Sequence, residues 1–98
     1  MNVLSEIPFG YDFVKKNNGK LADAELARIG LIAELDAVNL YEQLAALAED
    51  PLLKKVFLDI AREEKEHVGE FLELLKRLDS EQVRAIEHGA KEVREMEE

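Results

Sequence analysis

Two long apolar seams constrain this chain more than any other feature of its sequence. Between Leu21 and Glu49, and again between Pro51 and Leu78, apolar residues recur at alternate spacings of three and four. That period is typical of amphipathic helices rather than of strands. Asp50 and Pro51 separate the two stretches, because Asp suits a helix N-cap and Pro suits the first helical position. The pattern therefore predicts two long helices with a break between them.

Both predicted helices carry ionisable side chains on their apolar seams. The first seam consists of Ala24, Ala27, Leu31, Glu34, Val38, Tyr41, Ala45 and Ala48. The second consists of Leu53, Phe57, Ile60, Glu64, His67, Phe71, Leu74 and Leu78. Burying an unpaired carboxylate costs several kcal/mol, whereas a small domain has only about 5–15 kcal/mol of stability in total. Glu34, Glu64 and His67 therefore need a compensating partner.

The segments outside the seams are shorter. Residues 1–20 contain one of the two prolines and a small aromatic cluster, and we predict an irregular N-terminal arm there. In the helical domain, residues 21–98, Asp79 or Ser80 is a second N-cap, and a third helix follows to about Glu95. The predicted fold class is all-α, with a long antiparallel two-helix hairpin and a short C-terminal helix.

Two long helices cannot surround their own apolar seams. A second hairpin is the natural completion, since two copies would then form a ferritin-like four-helix bundle. We therefore expect an obligate homo-oligomer.

Composition excludes several classes of function. The 98 residues carry a net charge of -9, from 22 acidic and 13 basic side chains, so the chain has no basic face for nucleic acid. It contains no cysteine, which excludes disulfides, thiolate zinc sites and iron–sulfur clusters. No apolar run approaches the roughly 18 residues that span a bilayer, and the N-terminus is unlike a signal peptide. We expect a cytoplasmic protein that contacts neither membranes nor nucleic acid.

The spacing of the ionisable seam residues points to a metal. Glu64 and His67 are three residues apart and project from one helical face. Glu34 lies at a comparable depth on the facing helix. A two-iron carboxylate bundle takes a Glu-x-x-His pair from each of two helices and a lone Glu from each of two others. One chain supplies half of that set, and two chains related by a twofold axis supply all of it.

The same ligands indicate which metal binds. Four glutamates balance the charge of two Fe(II) ions, and oxygen and imidazole ligands suit iron or manganese. A buried Glu–His pair that only fixes the helix register is the structural alternative. Glu63 and Glu66 lie on other faces and are expected to be solvated. His88 has no Glu three residues before it, so we interpret it as a surface residue.

Two further seam positions are notable. Tyr41 lies two turns after Glu34; it could hydrogen-bond a ligand carboxylate or take part in electron transfer, and it could equally be a core tyrosine. Gly30 lies one turn before Glu34. A glycine in mid-helix costs up to about 1 kcal/mol relative to alanine, and close approach of another backbone is one reason to tolerate it.

The motifs "IAELDAVNLYEQ" and "AREEKEHVGEF" resemble the encapsulated ferritins, the half-ferritins associated with encapsulin nanocompartments. The resemblance covers about residues 22–90 and is greatest to the version fused to the front of the encapsulin shell protein. It implies a ferroxidase site between two chains, with two Fe per pair of chains. Glu34, Glu64 and His67 would be the metal ligands, and Tyr41 would lie beside them.

The resemblance also implies an assembly and a location. Five pairs of chains close into a ring-shaped decamer, which oxidises Fe(II) with dioxygen inside an encapsulin nanocompartment. The iron then passes to the lumen of the encapsulin shell for storage. The chain ends in "KEVREMEE" without an apolar targeting tail, so we expect either the front domain of a fused shell protein or encapsulation by another route. Ala33 stands beside Glu34, and we expect no outer metal site there.

The sequence thus predicts a homo-oligomeric ferroxidase with a diiron centre on each twofold axis. The alternatives are a non-catalytic iron-binding or structural oligomerisation module, and a plain helical interaction domain. A rubrerythrin-like peroxidase is less well supported, because the chain lacks the rubredoxin cysteines that would supply electrons.

Overall fold

The computed structural model describes residues 22–97, which form three helices. These are α1, Asp23–Leu47; α2, Pro51–Leu78; and α3, Ser80–Met96. No strand occurs within this range, so the predicted all-helical fold is confirmed. The irregular arm predicted for residues 1–20 lies outside the described residues. None of the three helices is both long and apolar enough to cross a membrane.

The two predicted N-caps hold the starts of α2 and α3. The Leu53 N–H donates to Asp50 Oδ2 at 2.8 Å, and the Gln82 N–H donates to Asp79 Oδ1 at 3.1 Å. Asp79 is also the C-cap of α2, so this one extended residue separates α2 from α3. At the start of α1, Ala22 has no side-chain acceptor, and its N–H instead donates to Glu25 Oε1 at 3.4 Å.

The first two helices pack against each other as an antiparallel hairpin, and of these two described helices α3 packs against α2. Arg28, near the start of α1, forms an ion pair of 2.6 Å with Asp79, just beyond the end of α2. Further along the hairpin, Lys65 Nζ lies 3.2 Å from Glu42 Oε2. These pairs fix the relative direction of α1 and α2 that the sequence predicted.

The core of a single hairpin is small. Its buried apolar residues are Ala27, Val38, Ala45, Ala61 and Leu75. On α2 the deepest positions each follow a seam residue by one place: Ala61 follows Ile60, and Leu75 follows Leu74. The most buried positions of α2 are therefore offset by one residue from the predicted seam. A helix in a four-helix bundle packs against neighbours on two sides, and α1 covers only one side of this seam.

The other side of the α2 seam is uncovered in the described chain. Val56, Leu74 and Leu78 are each about half exposed, and the His67 side chain is 45% exposed. Successive spacings of eleven, seven and four residues place these four on one helical face. We call them the open face of α2.

Candidate metal centre

Glu34, Glu64 and His67, here called the ligand triad, come together across the hairpin. Glu34 projects from the middle of α1, and the other two project from adjacent turns of α2. His67 Nδ1 lies 3.4 Å from Glu34 Oε2 and 3.4 Å from Glu64 Oε2. One ligand atom from each residue lies within 4.8 Å of the other two. Oxygen and nitrogen ligands about 2.1 Å from one ion are at most about 4.2 Å apart, so side-chain shifts of a few tenths of an ångström would suffice.

The carboxylates of the triad are more buried than the imidazole. The exposed fractions of the side chains are 21% for Glu34, 18% for Glu64 and 45% for His67. Glu34 Oε2 is buried and accepts no hydrogen bond from the residues that the structure describes, although His67 Nδ1 lies 3.4 Å away. An unsatisfied buried acceptor typically costs about 1–3 kcal/mol. A cation between the three side chains would supply the missing partner, so the donor set fits a metal.

Cationic side chains near the triad in sequence pair with other carboxylates. Arg62 lies 2.6 Å from Asp59 and 3.3 Å from Glu66, and its hydrogen bond to Asp59 holds the pKa of that carboxyl below its usual value. Lys65 pairs with Glu42. All five of these side chains are largely exposed, which confirms the solvated position predicted for Glu66. Within the described chain, Arg62 and Lys65 thus pair with carboxylates other than those of Glu34 and Glu64.

Tyr41 is not drawn into the triad. Its ring packs against Phe57, with centroids 6.1 Å apart and the ring planes inclined at 38°. Seven residues along a helix separate Tyr41 from Glu34, or about 10 Å of axial rise. Its predicted role beside the metal therefore remains a proposal.

The other histidine of the chain lies on the surface, as predicted. His88 is on the exposed side of α3, with Nε2 3.4 Å from Glu92 Oε1, and its side chain is 74% exposed. It offers a matched control for His67 in mutagenesis.

The sequence reasoning missed one contact beside the triad. The Phe71 ring lies over Gly30, at a distance where a Cβ atom on Gly30 would be 2.6 Å from Phe71 Cε1. The neighbour that meets Gly30 is thus an aromatic side chain, whereas the sequence suggested close approach of another backbone as one reason for a glycine. The signal was present in the spacing, because Gly30 precedes Glu34 by four residues and Phe71 follows His67 by four.

The chain resembles proteins connected with encapsulin. It is 56% identical over 72 residues to a ferritin-like-encapsulin shell fusion protein of Pyrococcus furiosus, covering 74% of this chain and 21% of that protein. It is 41% identical over 66 residues to the encapsulin nanocompartment cargo protein EncC of Myxococcus xanthus, covering 64% of this chain and 51% of EncC. The cargo protein EncB of the same organism is 40% identical over 62 residues, which are 63% of this chain and 39% of EncB. The chain thus spans only about a fifth to a half of the length of these relatives.

The fold has a solved counterpart. The crystal structure of the encapsulated ferritin domain from Pyrococcus furiosus superposes with a TM-score of 0.73 at 46% identity, over 94% of this chain and 93% of that domain. The EncFtn-like family model matches residues 12–90, which include all three triad residues. The chain therefore belongs to the EncFtn-like family of encapsulated ferritins.

Proposed function

We propose that this chain is a ferroxidase, in which the ligand triad binds Fe(II) for oxidation by dioxygen. The observation that carries the proposal is the convergence of the triad around the buried, unpartnered Glu34 Oε2. Membership of the encapsulated ferritin family supports iron as the metal. Carboxylate oxygen and imidazole nitrogen are ligands that iron accepts.

The site is proposed to be completed by a second copy. One chain offers two carboxylates and one imidazole, which is half of a two-iron carboxylate set. His67 is the most exposed member of the triad and also belongs to the open face of α2, with Val56, Leu74 and Leu78. Covering that face with its twofold mate would bury the apolar side chains and bring two triads together. The predicted dimer and the predicted diiron site thus need the same surface.

The protein's contribution is position and charge. Two copies supply four glutamates, whose charge matches that of two Fe(II) ions, while the imidazoles add ligands without adding negative charge. Oxidation of two Fe(II) ions to Fe(III) would supply two electrons, which with two protons from solvent reduce one dioxygen to hydrogen peroxide. Glu34 approaches from α1 and the other ligands from α2, so the hairpin packing sets the ligand geometry before iron binds.

The relatives indicate where such a ferroxidase would act. One is named as a fusion to an encapsulin shell, and two are named as nanocompartment cargo. We accordingly propose that the chain works inside an encapsulin compartment, where oxidised iron is stored, with the shell protein as its partner. Assembly of the dimers into a decameric ring belongs to the same proposal.

Anaerobic Fe(II) titration followed by admission of air tests the function. We expect saturation at one Fe per chain and rapid oxidation by the wild type. Glu64→Ala and His67→Ala should lose rapid oxidation while keeping their helical circular dichroism. The matched controls, Glu66→Ala and His88→Ala, remove the same side chains from the exposed surface and should oxidise iron as the wild type does. Oxidation by His67→Ala at the wild-type rate would refute the site.

Tyr41 is included in the same experiment. If it assists oxidation without binding iron, Tyr41→Phe should preserve the Fe(II) stoichiometry and slow the reaction after air is admitted. The substitution keeps the ring that packs against Phe57 and removes only the hydroxyl group. An unchanged rate would make Tyr41 a core residue, which is the alternative that its position on the seam also allows.

A further inference from the structure

A contact between an aromatic ring and a glycine lies one helical turn from the ligand triad. A Cβ atom placed on Gly30 would lie 2.6 Å from Cε1 of Phe71 and 2.9 Å from both Cδ1 and Cζ. These are three consecutive atoms along one edge of the ring. The edge thus occupies the space that any other residue at position 30 would fill with its own side chain. The Phe71 ring is seated against the backbone of α1.

The Gly30–Phe71 contact and the triad lie at successive turns of the interface between α1 and α2. Gly30 precedes Glu34 by four residues on α1, and Phe71 follows His67 by four residues on α2. Residues four apart lie on the same helical face, about 6 Å along the axis. Because the helices are antiparallel, Gly30 faces Phe71 where Glu34 faces His67 one turn further on. Sliding α1 along α2 would break both contacts together.

We propose that Gly30 and Phe71 are positioning residues for the metal centre. The bulky ring seated on the glycine fixes the axial register and the separation of α1 and α2 at the triad. It thereby holds Glu34 at the distance from His67 and Glu64 at which all three reach one ion. This inference rests on the proposed metal-binding function, but it assigns a role to residues that cannot themselves be ligands.

At position 30, the missing side chain leaves room for the Phe71 ring. Gly30 lies in the interior of α1, where a glycine costs up to about 1 kcal/mol relative to alanine. Helix propensity alone would therefore favour alanine at this position. Gly69 and Gly89 are also helical glycines, and a Cβ on either would meet nothing within 4 Å in the described chain. The added methyl group at position 30 must either push the helices apart or displace the Phe71 ring. Each outcome removes the contact that sets the register.

Binding of Co(II) to the purified oligomer measures the effect without the iron reaction. Co(II) takes the same oxygen and nitrogen ligands, and its visible absorption changes with the number and arrangement of those ligands. Loss of groups that orient metal ligands typically weakens binding about 10- to 100-fold. We expect a loss of that size in Gly30→Ala, together with an altered Co(II) spectrum. Gly89→Ala, which makes the same exchange in α3, should match the wild type in both.

A compensating change distinguishes positioning from general damage. Phe71→Leu shortens the side chain that the new methyl group would strike, so the Gly30→Ala/Phe71→Leu double variant should recover most of the affinity and the wild-type spectrum. If Gly30→Ala does not fold, Phe71→Leu alone should weaken Co(II) binding, because it removes the ring from its seat. Wild-type affinity and spectrum in Gly30→Ala, or in Phe71→Leu where the former fails to fold, would overturn the inference. Absence of Co(II) binding by the wild type would instead overturn the proposed function, and this inference with it.

Discussion

Replacing Glu34 by methionine should make the metal-free protein more stable while removing its stabilisation by metal. Glu34 Oε2 is buried and accepts no hydrogen bond from the described residues, and the Glu34 side chain is only 21% exposed. Methionine has a similar length and nearly the same helix propensity as glutamate, and it has no oxygen that needs a partner. The substitution therefore isolates the loss in free energy of unfolding that comes from placing a carboxylate at this buried position.

The two effects have comparable size and opposite sign. Relief of an unsatisfied buried acceptor is worth about 1–3 kcal/mol, so Glu34→Met should raise the free energy of unfolding by about that amount in the presence of a chelator. A metal at 100 times its dissociation constant stabilises a protein that binds it by about 2.7 kcal/mol per site. The wild type should gain that stabilisation on adding Co(II), and Glu34→Met should gain little. Adding Co(II) should thus reduce the difference in free energy of unfolding by which Glu34→Met exceeds the wild type, or reverse its sign.

Urea denaturation at one fixed protein concentration, with chelator or with Co(II), measures both effects. Glu87→Met makes the same exchange at an exposed position in the middle of α3, where the change should stay within about 0.5 kcal/mol. A chelated Glu34→Met protein that is less stable than the wild type would refute the reasoning. That result would mean that the Glu34 carboxylate is already satisfied without a metal.

Two other perturbations test the hairpin itself. Truncating Leu75, which is 3% exposed, to alanine should lower the free energy of unfolding by about 2–5 kcal/mol. Leu58→Ala, on the exposed side of α2, should lower it clearly less in the same urea titration. The Gln82 N–H, and after it Arg28, holds the pKa of Asp79 below its ordinary value. The stability that its ionisation contributes should therefore be complete above about pH 4 and be lost as the pH falls through the lowered pKa. Asp79→Asn should flatten this acid limb in unfolding midpoints recorded against pH, and an unchanged acid limb would contradict the assignment.

The ligand triad was predictable because its spacing is local. Glu64 and His67 share a helical face by their three-residue separation alone, and the Asp50-Pro51 break sets where α2 starts relative to α1. Once the hairpin is antiparallel, Glu34 falls opposite them, and the structure places His67 Nδ1 3.4 Å from both carboxylates. The sequence determined less well how close Tyr41 lies to the triad, because seven residues of helix place its side chain about two turns from Glu34.

The face of α2 that meets α1 was not predictable from the seam. Periodicity identifies an apolar stripe but not how that stripe is divided between two neighbours. Only the packing shows that Ala61 and Leu75 are buried, while His67, Leu74 and Leu78 are left on the open face. The contact between the Phe71 ring and Gly30 was equally unpredictable, because a side-chain contact depends on the separation of the helices and on their axial register.

By itself, the sequence determined the three helices, the N-caps of α2 and α3, and which residues are candidate metal ligands. These follow from interactions within a few residues: helical periodicity, the Asp50 and Asp79 caps, and the Glu-x-x-His spacing. Within the described chain, the tertiary structure alone decided that one triad oxygen is buried without a hydrogen-bond partner, that the Phe71 ring lies against Gly30, and that one side of the α2 seam is uncovered. Those properties depend on the distance and rotation between two helices, which arise from packing across the whole hairpin.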